Sequence, residues 1–158
     1  MMPVSGFWLR LCAVFFMALC CVWPAQAQAQ VLVEPVVGLW RVANEQTGKT
    51  DALVRIYAVN GQLEGKLEAI FPAPGEDPDP RCVKCEGAQH NQPKRGLVFM
   101  WGFSKIGNEY TGGRVLDPNT GSVYRAKMSV SEDGEKLMLH GYIGIPLLGR
   151  SQTWFKAR

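Results

Sequence analysis

The chain has 158 residues, 17 basic and 14 acidic side chains, and a net charge of +3. That length limits it to one modest domain, and the interleaved, nearly balanced charge argues against nucleic acid as a partner. Beyond the N-terminal stretch no apolar run suits a membrane span.

Arg10 puts a positive charge ahead of an apolar run from Leu11 to Trp23, short for a bilayer crossing. Pro24 ends the run, and Ala25-Gln26-Ala27 is the small-x-small pattern that signal peptidase reads. Residues 1–27 are expected to be an export signal, cleaved after Ala27 or alternatively Ala29; an uncleaved anchor is the weaker reading. Neither Cys20 nor Cys21 sits in a lipobox, which argues against a lipid anchor. Cleavage leaves residues 28–158 as a single domain, periplasmic or secreted, with no stable membrane insertion.

From Val36 onward the chain reads as short strands and tight turns. Val36 to Val42 is a first strand, Asn44 to Lys49 a turn, and Ala52 to Val59 a second strand. Asn60-Gly61 is a strong hairpin signal, because both central positions of a type I′ turn need positive φ. In Gln62 to Ile70, Leu63, Gly65, Leu67 and Ala69 alternate with Gln62, Glu64, Lys66 and Glu68, so one face is buried and the other wet.

Residues 72–95 interrupt the pattern with five prolines, several acids, and Cys82 and Cys85; no core strand can contain them. A loop this long is a candidate lid or docking surface, or else a solvated segment tied by one disulfide. Strands resume at Gly96 to Phe103, Glu109 to Leu116, Ser122 to Val130, Lys136 to Ile143 and Arg150 to Lys156. The turns between them carry Gly107-Asn108, Asp117 to Gly121, Asp133-Gly134 and Pro146. Gly112-Gly113 and Gly141 lie inside strands, where glycine marks a bulge or bend. The expectation is an all-β, about eight-stranded antiparallel up-and-down meander barrel, since closure removes both exposed edges; an open sandwich is the alternative.

Gly38-Leu39-Trp40 in the first strand, with Trp154 and Arg150 or Arg158 at the end, resembles the lipocalin-like (calycin) arrangement of a tryptophan against an arginine at the barrel base. A wider pattern adds Val54-Arg55-Ile56-Tyr57, Asn60-Gly61, Gly65-Lys66, Cys82-x-x-Cys85 and Gly112-Gly113. It continues through Asp117-Pro118, Gly121, Tyr124, Gly141-Tyr142 and Leu148-Gly149-Arg150 to Trp154. This is similar to the bacterial family known as domain of unknown function 2147. The resemblance implies a small exported protein with a lipocalin-like barrel, and no substrate, reaction or catalytic residue.

Cys82 and Cys85 in an oxidising compartment are expected to form a disulfide pinning the proline-rich loop. Zinc needs two further ligands, of which only His90 is near, and a redox role needs a lowered thiol pKa for which no helix N-terminus is evident. Trp40 and Trp154 are assigned to the core, with Arg150 able to stack on one of them. His140 lies opposite Leu137 and Leu139 and has no evident catalytic partner; Asp117 reads as a turn residue.

Arg55, Tyr57, Tyr110, Arg114, Tyr124, Tyr142, Arg150 and Gln152 form a polar and aromatic set on strands. In a barrel with an open interior such groups orient a ligand, and arginine grips a carboxylate or phosphate with two hydrogen bonds. The competing reading is that tyrosines cap the ends, arginines face water, and side chains fill the interior. The sequence is thus expected to encode a non-enzymatic protein binding a small amphipathic or acidic ligand, with no cofactor and no metal. The alternative is a cell-envelope structural or assembly factor with a solid barrel and a protein partner. A thiol-based or hydrolytic enzyme ranks last, because no nucleophile comes with a base and an orienting group.

Overall fold

The computed structural model describes residues 34–158, so the expected export segment lies outside the described residues. Eight antiparallel strands run in chain order: β1 (Gly38–Ala43), β2 (Thr50–Val59), β3 (Gln62–Ile70), β4 (Val98–Ile106), β5 (Glu109–Leu116), β6 (Val123–Val130), β7 (Lys136–Tyr142) and β8 (Gly149–Lys156). Each pairs with the next, and β8 returns to β1, closing the barrel. The expected meander is therefore observed, and the open sandwich is not.

Period-two alternation decides which side chains fill the interior. On β2, Ala52, Val54 and Ile56 are buried; on β3, Leu63, Gly65 and Leu67; on β7, Leu137 and Leu139. Trp40 and Trp154 are both buried in this core, as expected. Phe99 is the extra residue of an irregularity where β4 passes β3, between the pairs Lys66↔Val98 and Gly65↔Met100. It turns inward beside Met100 and reaches Trp154, with ring centroids 6.4 Å apart.

Bulges curve the wall. The register shifts between Tyr110 and Gly113 on β5, where Gly112 has a φ of 76° that a side chain rarely adopts. Gly113 then meets the flat of the Phe103 ring, which lies 2.4 Å from where a Cβ would stand. The expectation of a bend at Gly112-Gly113 holds. Gly141 differs: it sits in unbroken register between Ala126 and Arg150, so it is a missing side chain rather than a bulge.

One end of the barrel carries the β2–β3, β4–β5 and β6–β7 turns and is closed by Glu34 to Val37. Trp40 Nε1 donates to the Val36 carbonyl at 2.7 Å. The Lys156 ammonium lies 4.4 Å from the Trp40 ring centroid and donates to the carbonyls of Pro35 and Val37. The cation over the first-strand tryptophan is thus Lys156, not Arg150 or Arg158, because Lys156 shares the inward register of Trp154 and stands directly opposite Trp40. The Tyr110 hydroxyl and the Lys105 ammonium both donate to the Glu34 carboxylate at 2.7 Å.

At the other end residues 71–97 form an ordered connection. Cys82 and Cys85 are disulfide-bonded, with Cα atoms 5.4 Å apart, and both are buried in the same cluster as Leu97 and Leu116. The connection contains a short 3-10 helix (Gly87–Gln89) and a bridge between Arg81 and Pro93. It seats on the β5–β6 turn: Gly121 would place a Cβ 2.0 Å from the Lys84 carbonyl oxygen, and Lys94 donates to the Asn119 side chain. It is a docked wall of the barrel end rather than a solvated loop. Asp117 holds its turn as expected, accepting from the Asn119 amide and the Thr120 hydroxyl.

Candidate ligand site at the open end of the barrel

The eight polar residues singled out above separate into three groups. Arg55 and Tyr57 alternate with buried Val54 and Ile56, so they point outward. There Arg55 bonds Glu68 at 3.1 Å, and the Tyr57 hydroxyl donates to Glu64 at 3.1 Å. The Arg55 guanidinium keeps the Glu68 carboxyl below the usual carboxylate range, and partial burial raises Tyr57, helped by the bond to Glu64. Arg114 and Tyr142 also lie on the outer wall, with Tyr142 stacked on His140 at 5.9 Å. These four do not line the interior.

Tyr110 faces inward but belongs to the closed base. Burial, and then the bond to Glu34, push its phenol well above the ordinary value. The same contacts, Lys105 foremost, hold Glu34 below the usual carboxylate range. Glu34 precedes the first strand, and no periodicity singles it out in the sequence.

Tyr124, Arg150 and Gln152 are brought together. Tyr124 shares the register face of buried Ala126 and Met128 on β6; Gln152 and Arg150 share that of buried Trp154 on β8. Between them on β7 stands Gly141, paired with Ala126 on one side and Arg150 on the other. Nothing comes nearer to the position of a Gly141 Cβ than the Tyr124 Cβ at 3.8 Å. The missing side chain leaves the inward position open, with Arg150 as its cross-strand pair on β8 and Tyr124 as the nearest side chain on β6. Arg150 makes no ion pair among the described residues. Gln152 accepts from Trp154 Nε1 at 3.3 Å, which ties the rim to the tryptophan below.

The wall is also thin here. β1 pairs with β8 only from Trp40↔Lys156 to Val42↔Trp154, and the chain departs from sheet register after Val42. Among the described residues the edge of β8 from Gly149 to Thr153 therefore has no partner on the β1 side. A cleft of about 250 Å³ occupies this seam, bounded by Val42, Asn44 and Glu45 on one side and Gln152, Thr153 and Trp154 on the other. Gln152 lines the seam cleft, opposite Asn44 and Glu45, and on the same register face of β8 Arg150 pairs with Gly141.

The His140 and Cys82–Cys85 chemistry is otherwise engaged. His140 Nε2 lies 2.7 Å from the Pro146 carbonyl, which can only accept, so this nitrogen donates and Nδ1 accepts from the Ser151 hydroxyl at 2.8 Å. His90 Nδ1 donates to the Cys85 carbonyl at 2.9 Å. Among the described residues no group of three or more histidine, cysteine or acidic side chains lies together in a way that could hold a metal ion.

No curated protein matches the chain. Among solved structures, protein HP1028 from the human pathogen Helicobacter pylori, which belongs to the lipocalin family, superposes with a TM-score of 0.65 at 18% identity, covering 77% of this chain and 82% of that one. At that identity the likeness concerns the fold, which is lipocalin-like. The sequence over residues 38–156, from the first residue of β1 to the last of β8, matches a bacterial family, and the chain belongs to it: the family described as "Uncharacterized protein conserved in bacteria (DUF2147)".

Proposed function

We propose that this protein is an exported, non-enzymatic binder of a small acidic amphipath, held at the open end of the barrel. The observation that carries the reading is the cluster of Tyr124, Arg150 and Gln152 around side-chain-less Gly141, with Arg150 free of any acidic partner among the described residues. In this reading Arg150 grips the head group and Gln152 and Tyr124 orient it. The apolar portion lies along Val42 and Trp154 through the seam. The lipocalin-like fold supports the same reading by analogy.

The test is native mass spectrometry of protein purified after export, followed by titration with a fluorescent fatty acid and its uncharged alcohol analogue. The acid is expected to bind more tightly than the alcohol. Arg150→Gln is expected to weaken the acid by roughly tenfold or more, since a hydrogen bond to a charged group contributes about 1.5–3 kcal/mol. Equal binding of acid and alcohol, or an unchanged Arg150→Gln variant, would sink the reading.

A second reading has its own support. Below Gln152 the interior is filled by Trp40, Met100, Phe103, Leu137 and Trp154, all at most 2% exposed. A solid barrel of this kind suits an envelope structural or assembly factor acting through its surface. Bare protein in the native spectrum, together with no titratable binding, would favour it.

A further inference from the structure

The β7–β8 connection presents Ile143, Ile145, Leu147 and Leu148 to solvent at 69%, 56%, 87% and 69% exposure. These are four of the nine large hydrophobic side chains exposed among the described residues, gathered into six positions of chain. A cluster of that kind marks an interaction site rather than ordinary surface scatter. Its backbone is partly satisfied from within. Ile143 donates to the Leu148 carbonyl and Leu148 to the Ile145 carbonyl; His140 donates to the Pro146 carbonyl, and Pro146 has no N–H to satisfy. The tip can therefore leave water at a lower desolvation cost than an open loop.

The outer wall beside this tip carries the opposite chemistry. One continuous row of cross-strand pairs runs Trp101↔Arg114, Arg114↔Arg125 and Arg125↔Tyr142, and Tyr142 leads directly into Ile143. Arg114 and Arg125 are exposed and directly opposed, and neither forms an ion pair among the described residues. Like charges facing each other across a sheet destabilise it. The arrangement becomes favourable when an anionic surface meets both.

We propose that this end of the barrel docks on an anionic lipid bilayer, the 143–148 tip entering the headgroup region and Arg114 and Arg125 meeting lipid phosphates. A bilayer fits the tip better than a protein does. The tip is a connecting hairpin of aliphatic side chains without an aromatic among them, and the two exposed arginines beside it face outward with no acidic partner among the described residues, which complements an anionic surface. An apolar element beside a basic patch gives the two signals that peripheral membrane binding needs.

The experiment is co-sedimentation of purified protein with vesicles of phosphatidylcholine alone or mixed with phosphatidylglycerol, all variants carrying the same N-terminus. Wild type is expected to partition to the mixed vesicles and to be released by salt. R114Q/R125Q should lose about 30-fold in partitioning, each basic side chain near an anionic surface contributing roughly a factor of five. L147D/L148D should abolish binding while its melting temperature stays near wild type, the side chains being exposed. The proposal is overturned by wild type that ignores mixed vesicles at moderate salt, or by variants that bind as wild type does. It is equally overturned by light scattering that shows a dimer which L147D/L148D dissolves, because that result assigns the tip to self-association.

Discussion

Replacing Gly141 separates a ligand gap from a simple weakness in the sheet. A Cβ built there meets the Tyr124 Cβ at 3.8 Å and the Arg125 carbonyl oxygen at 4.0 Å, both ordinary contact distances, and the backbone is not left-handed. Gly141→Ala is therefore expected to stabilise the fold by about 0.5–1 kcal/mol through the unfolded state. Gly141→Val should do no worse, since a β-branched side chain suits a pleated, half-buried strand. If the gap accommodates a ligand, the same valine intrudes on it. Inserting methyl groups into an occupied space costs about 1–3 kcal/mol, or roughly 5- to 150-fold in affinity. The assay is paired: urea unfolding followed by tryptophan fluorescence, compared at constant m, and fatty-acid titration of the same variants. Raised stability with weakened binding is the expected outcome. Raised stability with unchanged affinity would refute the placement of the ligand at Gly141, and lowered stability would refute the vacancy itself.

Three further outcomes test the structure around the site. Gly113→Ala drives a Cβ to 2.4 Å from the fully buried Phe103 ring, so it should destabilise by about 3 kcal/mol; pairing it with Phe103→Leu should recover part of that loss, and strict additivity in the double-mutant cycle would contradict the contact. Gly121→Ala combines a φ of 76° with a Cβ 2.0 Å from the Lys84 carbonyl, so it should undock the 71–97 connection, read as faster amide exchange at Cys82 and Cys85 with the barrel strands still protected. Glu34 has a folded pKa below its unfolded one, so its contribution is present above the unfolded pKa and is lost as pH falls through the folded value; Glu34→Gln should flatten the acid limb of the stability profile below about pH 4.5, and an identical acid limb would remove Glu34 from the base lock.

Much of the fold was legible because alternation was. Asn60-Gly61 fixed the β2–β3 hairpin, with Asn60 and Gly61 both at positive φ. The phase of Leu63 and Leu67 on β3 needed nothing beyond period two. The same rule, anchored on Trp154, places Gln152 and Arg150 inward, and anchored on Val54 and Ile56 it sends Arg55 and Tyr57 outward. Arg114 shows where the rule breaks. Counting by twos from inward Tyr110 would turn Arg114 inward, but the bulge at Gly112 adds a residue, so Gly113 takes the inward place and Arg114 faces water. A bulge is a tertiary device for bending the wall, and glycine marks its possibility without stating its phase. Lys156 and Glu34 were hidden for another reason: Lys156 meets Trp40 across the β1–β8 closure and Glu34 meets Lys105 and Tyr110 of β4 and β5, long-range contacts that no local pattern records.

The two ends of the barrel differ in how far their polar groups are satisfied, and that difference supports the proposed position of the ligand. At the base, Glu34 is shared by Lys105 and Tyr110, the Trp40 N–H is taken by Val36, and Lys156 donates to two carbonyls while covering the indole. A ligand entering there would have to displace these contacts; for the buried Trp40 N–H an unpaired donor costs about 1–3 kcal/mol. Among the described residues the rim has fewer such contacts: Arg150 forms no ion pair, Gly141 has no side chain, and the Gly149–Thr153 edge of β8 is unpaired. At that end the 71–97 connection docks through Cys82, Cys85 and Leu97, and β1 leaves the sheet register after Val42. The apolar 143–148 hairpin leads directly into Gly149 and Arg150, so on the two proposals above the docking tip and the ligand's cation lie next to each other in the chain.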